Sequence, residues 1–209
     1  MDSQKKKDQG KAKKSDKWHF VAFEYMETFV FTAIAVILVL TFAVRICEVG
    51  GPSMEKTLID KERLLVSDLF YSPKAGDVIV FHETDERPRG FNKPIVKRVI
   101  ATEGEFVQIN YNEGKVYVSD DAVFTEDELL DESAYVYLDN GKWDEAGFKS
   151  TEVFEVPDGQ LFVMGDNRNN SADSRSDTPG MGVGFVEEER VLGKVLLRIY
   201  PFSKIGFVK

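Results

Sequence analysis

One cysteine, Cys47, and two histidines, His19 and His82, are all that 209 residues offer of these types. A lone cysteine excludes an internal disulfide and a four-cysteine zinc site. Two histidines so far apart suggest no metal cluster. Basic residues are also scarce: 27 lysines and arginines stand against 36 acids, for a formal net charge of −9. Phosphate contacts need a basic face, so nucleic acid is not an expected partner. No long stretch after the first fifty residues has helical periodicity. The composition, 43% hydrophobic and 30% charged, is globular and long enough for one or two small domains.

Charge is unevenly spread. Residues 1–27 hold seven lysines against five acids, a net of +2, which leaves −11 for the remainder. The opening MDSQKKKDQGKAKKSDK is low in complexity and cannot bury a core, so 1–27 is expected to be a disordered, lysine-rich tail. From Thr28 to Val44 the chain reads TFVFTAIAVILVLTFAV, without a charge. As a helix this run spans roughly 26 Å, slightly under a ~30 Å hydrocarbon core. Ile46 and Cys47 extend it if Arg45 snorkels, which sets the anchor at 28–47. No face of the run is polar, which argues against a buried core helix. The following VRICEVGG offers no small-residue cleavage site, which argues against a removable signal peptide. An uncleaved transmembrane anchor is the expectation. Lysines precede the span and few follow closely, so the N-terminus is expected in the cytoplasm and the rest outside.

The remainder reads as β structure. GDVIVF (76–81), PIVKRVIA (94–101), EFVQIN (105–110), KVYVSD (115–120), AYVYLD (134–139), TEVFEV (151–156), QLFVMG (160–165) and KVLLRIY (194–200) are short, β-branched or aromatic, and separated by turn residues. Asn112-Glu113-Gly114 and Asp139-Asn140-Gly141 look like hairpin loops. The expected fold is mainly β: an antiparallel sheet built from 48–110 and 156–209, with an acidic β-rich region, 111–155, inserted between them. The extreme of that region, TEDELLDES (125–133), reads as solvated surface acids, and it lacks the alternating ligands of a calcium loop.

GGPSMEKTL, 50–58, follows the anchor directly and raises the question of a nucleophile at Ser53. A nucleophilic serine needs a base. His19 lies across the expected membrane, and nothing in FHETDE marks His82. A cysteine–histidine pair would need Cys47, at the end of the anchor. Lysine is the other option, provided burial lowers its pKa. In PIVKRVIA, strand alternation puts Ile95, Lys97, Val99 and Ala101 on one face, where Lys97 is the only charge. The same pattern suits an edge-strand lysine that wards off aggregation. A third segment, MGDNRNNSADSR (164–175), packs Asp166, Arg168, Asp173 and Arg175 into more charge than a turn requires. Such a network can fix a serine hydroxyl beside a base.

Taken together, the anchor, the Ser-Met pair, the GD-hydrophobic strand, the KR-V-I strand and GDNR-x-NS-x-DSR resemble bacterial type I signal peptidases, membrane-anchored serine proteases that release signal peptides. The resemblance covers roughly 28–104 and 157–202. It implies Ser53 as nucleophile and Lys97 as general base, cutting after Ala-x-Ala through an acyl-enzyme. It implies that Ser171 hydrogen-bonds the lysine amine, that Asp173 and Arg175 form a supporting ion pair, and that Asp166 and Arg168 hold the loop. By family position Val49, Met54, Leu58, Val80, Ile95 and Val96 line the substrate pockets, although each also suits ordinary strand core. The implied partners are signal peptides of secretory preproteins, membrane lipid around the anchor, and a nearby secretion translocon, at the bacterial plasma membrane. No cofactor or metal is implied. At most roughly 29 Å of chain separates Arg45 from Ser53, so the site is expected near the outer membrane surface.

The chain departs from the family pattern in places. Ser-Met-x-Pro-Thr-Leu is here Ser-Met-Glu-Lys-Thr-Leu, so Lys56 replaces a proline. Ala-Thr-Glu-Gly-Glu, 101–105, stands where Gly-Leu-Pro-Gly-Asp is usual. Gly51 stands where some members carry a serine whose hydroxyl aids the oxyanion hole. The apolar anchor and the net negative charge argue against a self-cleaving repressor relative with a DNA-linked role. A non-catalytic relative stays open, because fold does not guarantee function.

Overall fold

The structure, a computed structural model, describes residues 2–84, 92–138, 143, 150–178 and 181–208. It divides into two units, Met1–Ala43 and Val44–Lys209.

The first unit is helix α1 (Asp2–Ala43), which runs through the segment expected to be disordered. Lysine, glutamine and alanine are good helix formers, and Gly10 is the one breaker before Trp18. A lack of apolar residues precludes a core there, but not a helix. The stretch Trp18–Leu38 is long and apolar enough to cross a membrane, with a mean hydropathy of 1.7. It begins ten residues upstream of the expected Thr28. Within and just after it, Thr28, Thr32 and Thr41 donate their hydroxyls to the carbonyl four residues back, at 2.7–2.9 Å. Each therefore meets its hydrogen-bonding need inside the helix. The helix ends at Ala43, so the expected extension of the anchor to Cys47 does not form. Arg45–Glu48 is instead strand β1, antiparallel to β2 (Arg63–Ser67). The charged ends, Arg45 and Glu48, favour this half-exposed strand over a continued apolar helix.

The second unit is antiparallel β throughout its described ladders. The larger sheet also contains β3 (Val78–Thr84), β4 (Asn92–Ala101), β8 (Gln160–Met164), β9 (Val186–Glu187), β10 (Val191–Tyr200) and β11 (Gly206–Phe207). Its order is β1-β2-β10-β3-β4-β8-β9, with β11 on β10. Two apolar clusters pack on its faces: one joins Met54, Leu58, Leu64, Val66, Val78 and Val80, the other Ile79, Phe81, Val99, Leu161 and Val163. β3 pairs β4 over its whole length, from Asn92 to Arg98. β8 pairs only Arg98, Val99 and Ala101. Among the described residues, Pro94–Val96 of β4 therefore have no ladder partner on the side away from β3.

The smaller sheet, β6-β5-β7, comprises β5 (Phe106–Asn110), β6 (Lys115–Ser119) and β7 (Thr151–Glu155). It closes over a core of Val107, Ile109, Val116, Phe162 and Met164. The inserted region thus begins one strand earlier than expected, at β5, because Phe106–Asn110 pairs with both β6 and β7. AYVYLD is not a strand. Its described part forms a turn, and Tyr137 makes only an isolated bridge to Asn167. Its backbone bonds the 165–175 loop at Tyr137 instead of joining a ladder, and the Tyr135 ring lies over Arg98 of β4. The Asp139-Asn140-Gly141 hairpin lies outside the described residues.

Candidate active site

Ser53 stands in a turn directly after β1. Val49 N donates to Glu62 O at 2.8 Å, Gly51 N donates to the Asp60 carboxylate at 2.8 Å, and Leu58 N donates to Met54 O at 2.7 Å. Gly51 has φ +96°, a conformation that glycine adopts without steric cost. Met54 and Leu58 are buried and pin the turn to the core. Lys97 reaches it from β4: its Nζ lies 2.8 Å from Ser53 Oγ.

Lys97 is 3% exposed. Burial lowers its pKa from the ordinary 10.5 to about 8; Asp173 pulls it back up, and Arg175 opposes that pull. Removing a cation from water penalises the charged form, and this is the largest influence on the amine. The edge-strand role for this lysine does not apply, since the amine points at a serine and is shielded from solvent.

Asp166 receives both forks of Arg98, Nε and Nη2, at 2.8 Å each, and also the Thr57 hydroxyl. Arg98 and Asp166 are 2% and 0% exposed. One carboxylate therefore joins the strand that carries Lys97 to the turn that carries Ser53. Asp173 accepts from Arg175 Nε at 2.8 Å and Nη2 at 3.0 Å, and from Gly165 N at 3.0 Å. Burial alone would raise the Asp173 pKa, but Arg175 and these hydrogen bonds outweigh it and hold the carboxyl below its ordinary value. Arg168 does not pair with Asp166. It pairs with Glu132, of the acidic run, and donates to Gly165 O at 3.2 Å.

Ser171 departs from expectation. Among the described residues its buried Oγ has no hydrogen-bond partner, so no bond to Lys97 forms. The Lys97 amine is instead engaged by Ser53. Ser171 Oγ and Ser53 O lie 2.2 and 2.4 Å from the point where a Cβ on Gly165 would stand. Only glycine lets the two loops approach this closely. Gly165→Ala is therefore expected to force the loops apart, costing about 1–3 kcal/mol as other overpacked sites do. Thermal denaturation would read it, and an unchanged melting temperature would contradict the contact.

Of the expected pocket residues, Val49, Met54, Ile95 and Val96 line a cleft of about 500 Å³ whose walls are 46–54 and 93–97, with Ala172 beside them. Leu58 and Val80 do not line it. Both are wholly buried in the cluster beneath, where Val80 pairs with Val96 and Leu58 packs under the turn. Ser53 and Lys97 both border this cleft.

Sequence reasoning missed Arg98, Thr57, Asn167 and Glu132. Asn167 N donates to Ser53 O at 3.0 Å, and its Nδ2 donates to Pro52 O at 3.2 Å. Arg98 and Asn167 fall inside quoted motifs, where their neighbours drew the attention. Glu132 carries no local signal, because its partner is 36 residues away.

A serine paired with a buried lysine at a cleft in a β protein is the arrangement of a serine hydrolase without histidine. Comparison with known proteins agrees. The family described as "Signal peptidase, peptidase S26" matches residues 22–200. Signal peptidase I U of Bacillus subtilis is 32% identical over 194 residues, covering 88% of this chain and 93% of its own. The probable signal peptidase I-1 of Synechocystis is 32% identical over 198 residues, covering 90% and 87%. Signal peptidase IB of Staphylococcus aureus is 29% identical over 203 residues, covering 88% and 94%. The chain belongs to the signal peptidase family, peptidase S26, a family of serine hydrolases that remove signal peptides from preproteins. Its N-terminal apolar helix fits a membrane-anchored member.

Proposed function

We propose that this protein removes N-terminal signal peptides by a Ser53–Lys97 dyad acting through an acyl-enzyme. The observation that carries this reading is the 2.8 Å contact between Ser53 Oγ and a Lys97 amine whose pKa burial lowers to about 8. Neutral Lys97 accepts the Ser53 proton as Oγ attacks the scissile carbonyl. It returns that proton to the leaving amine as the acyl-enzyme forms. The mature protein departs as that amine, and water, deprotonated by the same lysine, then hydrolyses the ester and frees the signal peptide. Ser53 N–H has no protein acceptor among the described residues and is available to the oxyanion. Gly51 supplies no hydroxyl, so a second donor must be backbone or water.

The substrate is extended and enters between the walls of the cleft. On the side away from β3, residues 94–96 of β4 have no ladder partner among the described residues and offer the backbone groups that β-augmentation uses. Val49, Met54, Ile95 and Val96 give the cleft apolar walls suited to the small apolar side chains of an Ala-x-Ala site. The lysine-rich N-terminus lies in the cytoplasm, and the β unit faces outward at the plasma membrane, near the translocon that delivers preproteins.

The test is a cleavage assay with the full chain in detergent micelles and a preprotein whose signal ends in Ala-x-Ala. Wild type is expected to release a product that begins immediately after that site, and Ser53→Ala none. Equal cleavage by Ser53→Ala would remove the nucleophile from this account.

A further inference from the structure

We propose that residues 132–137 of the inserted region are a clamp that registers the Ser53 turn against the 165–175 loop, with Lys56 and Glu132 as positioning residues. The inference rests on the dyad reading above and identifies what holds the dyad in place.

Four sets of contacts carry it. Lys56, three residues after Ser53, extends its amine to the inserted region and donates to Ser133 O at 2.9 Å and Val136 O at 3.3 Å. On the other side, the Glu132 carboxylate takes both Nη groups of Arg168, whose side chain is fully buried. Between them, Tyr137 N donates to Asp166 O at 2.7 Å, and Arg168 N donates to Tyr137 O at 3.2 Å. The Tyr135 ring stacks 4.0 Å from the guanidinium of Arg98, next to Lys97 in β4. Six consecutive residues thus grip the nucleophile's turn, the Asp166 loop and the base's strand. Bidentate and charge-assisted bonds fix direction as well as distance, which a positioning element requires.

The backbone of Lys56 adds an independent observation. Its φ is +82°, a left-handed conformation that lysine rarely adopts and proline cannot. Strain of this kind persists only where surrounding contacts over-determine it. Here those contacts are the two carbonyls of the clamp. Where the family pattern stiffens this turn with a proline, this chain ties it to the inserted region instead.

The experiment compares wild type, Lys56→Gly and Lys56→Arg as full chains in detergent. It measures kcat and KM on a preprotein, melting temperature, and hydrogen exchange at the amides of Tyr137 and Asn167. Lys56→Gly removes the amine and the strain together. The clamp predicts a kcat roughly tenfold lower, a KM within about twofold, an almost unchanged melting temperature, and faster exchange at both amides. Lys56→Arg, which keeps donors at that reach, is expected to recover most of kcat. Unchanged exchange, or a wild-type kcat in Lys56→Gly, would overturn the clamp, as would a kcat loss that only tracks lost stability. If wild type itself cleaves no preprotein, the dyad reading fails, and the exchange rates alone decide the clamp.

Discussion

Lys97→Met is expected to abolish preprotein cleavage and to stabilise the fold at the same time. Methionine fills a similar volume in an apolar setting but holds no proton-accepting amine. Loss of a general base typically costs 10²–10⁴ in rate, and in the proposed mechanism the same group serves both acylation and deacylation, so a fall of about 10³ or more is expected. The stability effect follows from the lowered pKa. In the folded state Lys97 releases its proton near pH 8, whereas an exposed lysine does so near 10.5. Below pH 8 both states carry the charge, and the buried cation costs the folded state up to ~3 kcal/mol. Between these values the folded amine is neutral and the unfolded one is charged, so the penalty shrinks as pH rises. Above 10.5 it is gone. Lys97→Met should therefore melt several degrees higher than wild type at pH 7 and lose that advantage by pH 10.5. Denaturation at the two pH values reads this directly. A variant that is less stable at pH 7 would mean that the amine makes compensating contacts beyond Ser53.

The second large effect is expected at Asp166. Its carboxylate neutralises Arg98 at two 2.8 Å contacts and accepts the Thr57 hydroxyl, all away from solvent. Asp166→Ala leaves a buried guanidinium without its counter-charge. Breaking such a pair from one side costs about 3–5 kcal/mol. For a chain of this size that is a fall of roughly 10 °C or more in melting temperature. Activity should drop beyond what partial unfolding explains, because the turn of Ser53 and the strand of Lys97 lose their common anchor. Asp166→Asn, which keeps one acceptor, should lie between. A loss below ~1 kcal/mol in Asp166→Ala would show that Gly76 O, which accepts from Arg98 Nη1 at 2.8 Å, suffices to hold the cation.

How much of this could be seen in the sequence depended on whether the physics was local. Ser53, Lys97 and the Asp173–Arg175 pair sit in short motifs whose residue types and order carry the chemistry. The strands of β3, β4, β5, β6, β7, β8 and β10 announce themselves by β-branched runs between turn residues. β1 and β2 do not, because RICE and RLLVS are short and charged at one or both ends. Helix α1 overran its expected start because helical propensity needs no core. The arginine partners were harder still. Asp166 finds Arg98 and not its near neighbour Arg168, and Glu132 leaves an acidic run that reads as solvent-facing to pair with Arg168 instead. Nothing in a local window distinguishes that glutamate from its neighbours Glu126 and Asp127, which remain exposed. The hydroxyl of Ser171 shows the same limit from the other side. Its place beside Gly165 is set by how closely two loops approach, a distance no spacing rule contains.

The central claim is that neutral Lys97 is the base, and its most direct test is the pH dependence of kcat/KM for the full chain in detergent. That parameter reports ionisations of the free enzyme. The claim predicts activity rising with pH through a single ionisation near pH 8, where Lys97 loses its proton. A profile flat from pH 6 to about 10, or one falling over that range, would contradict it.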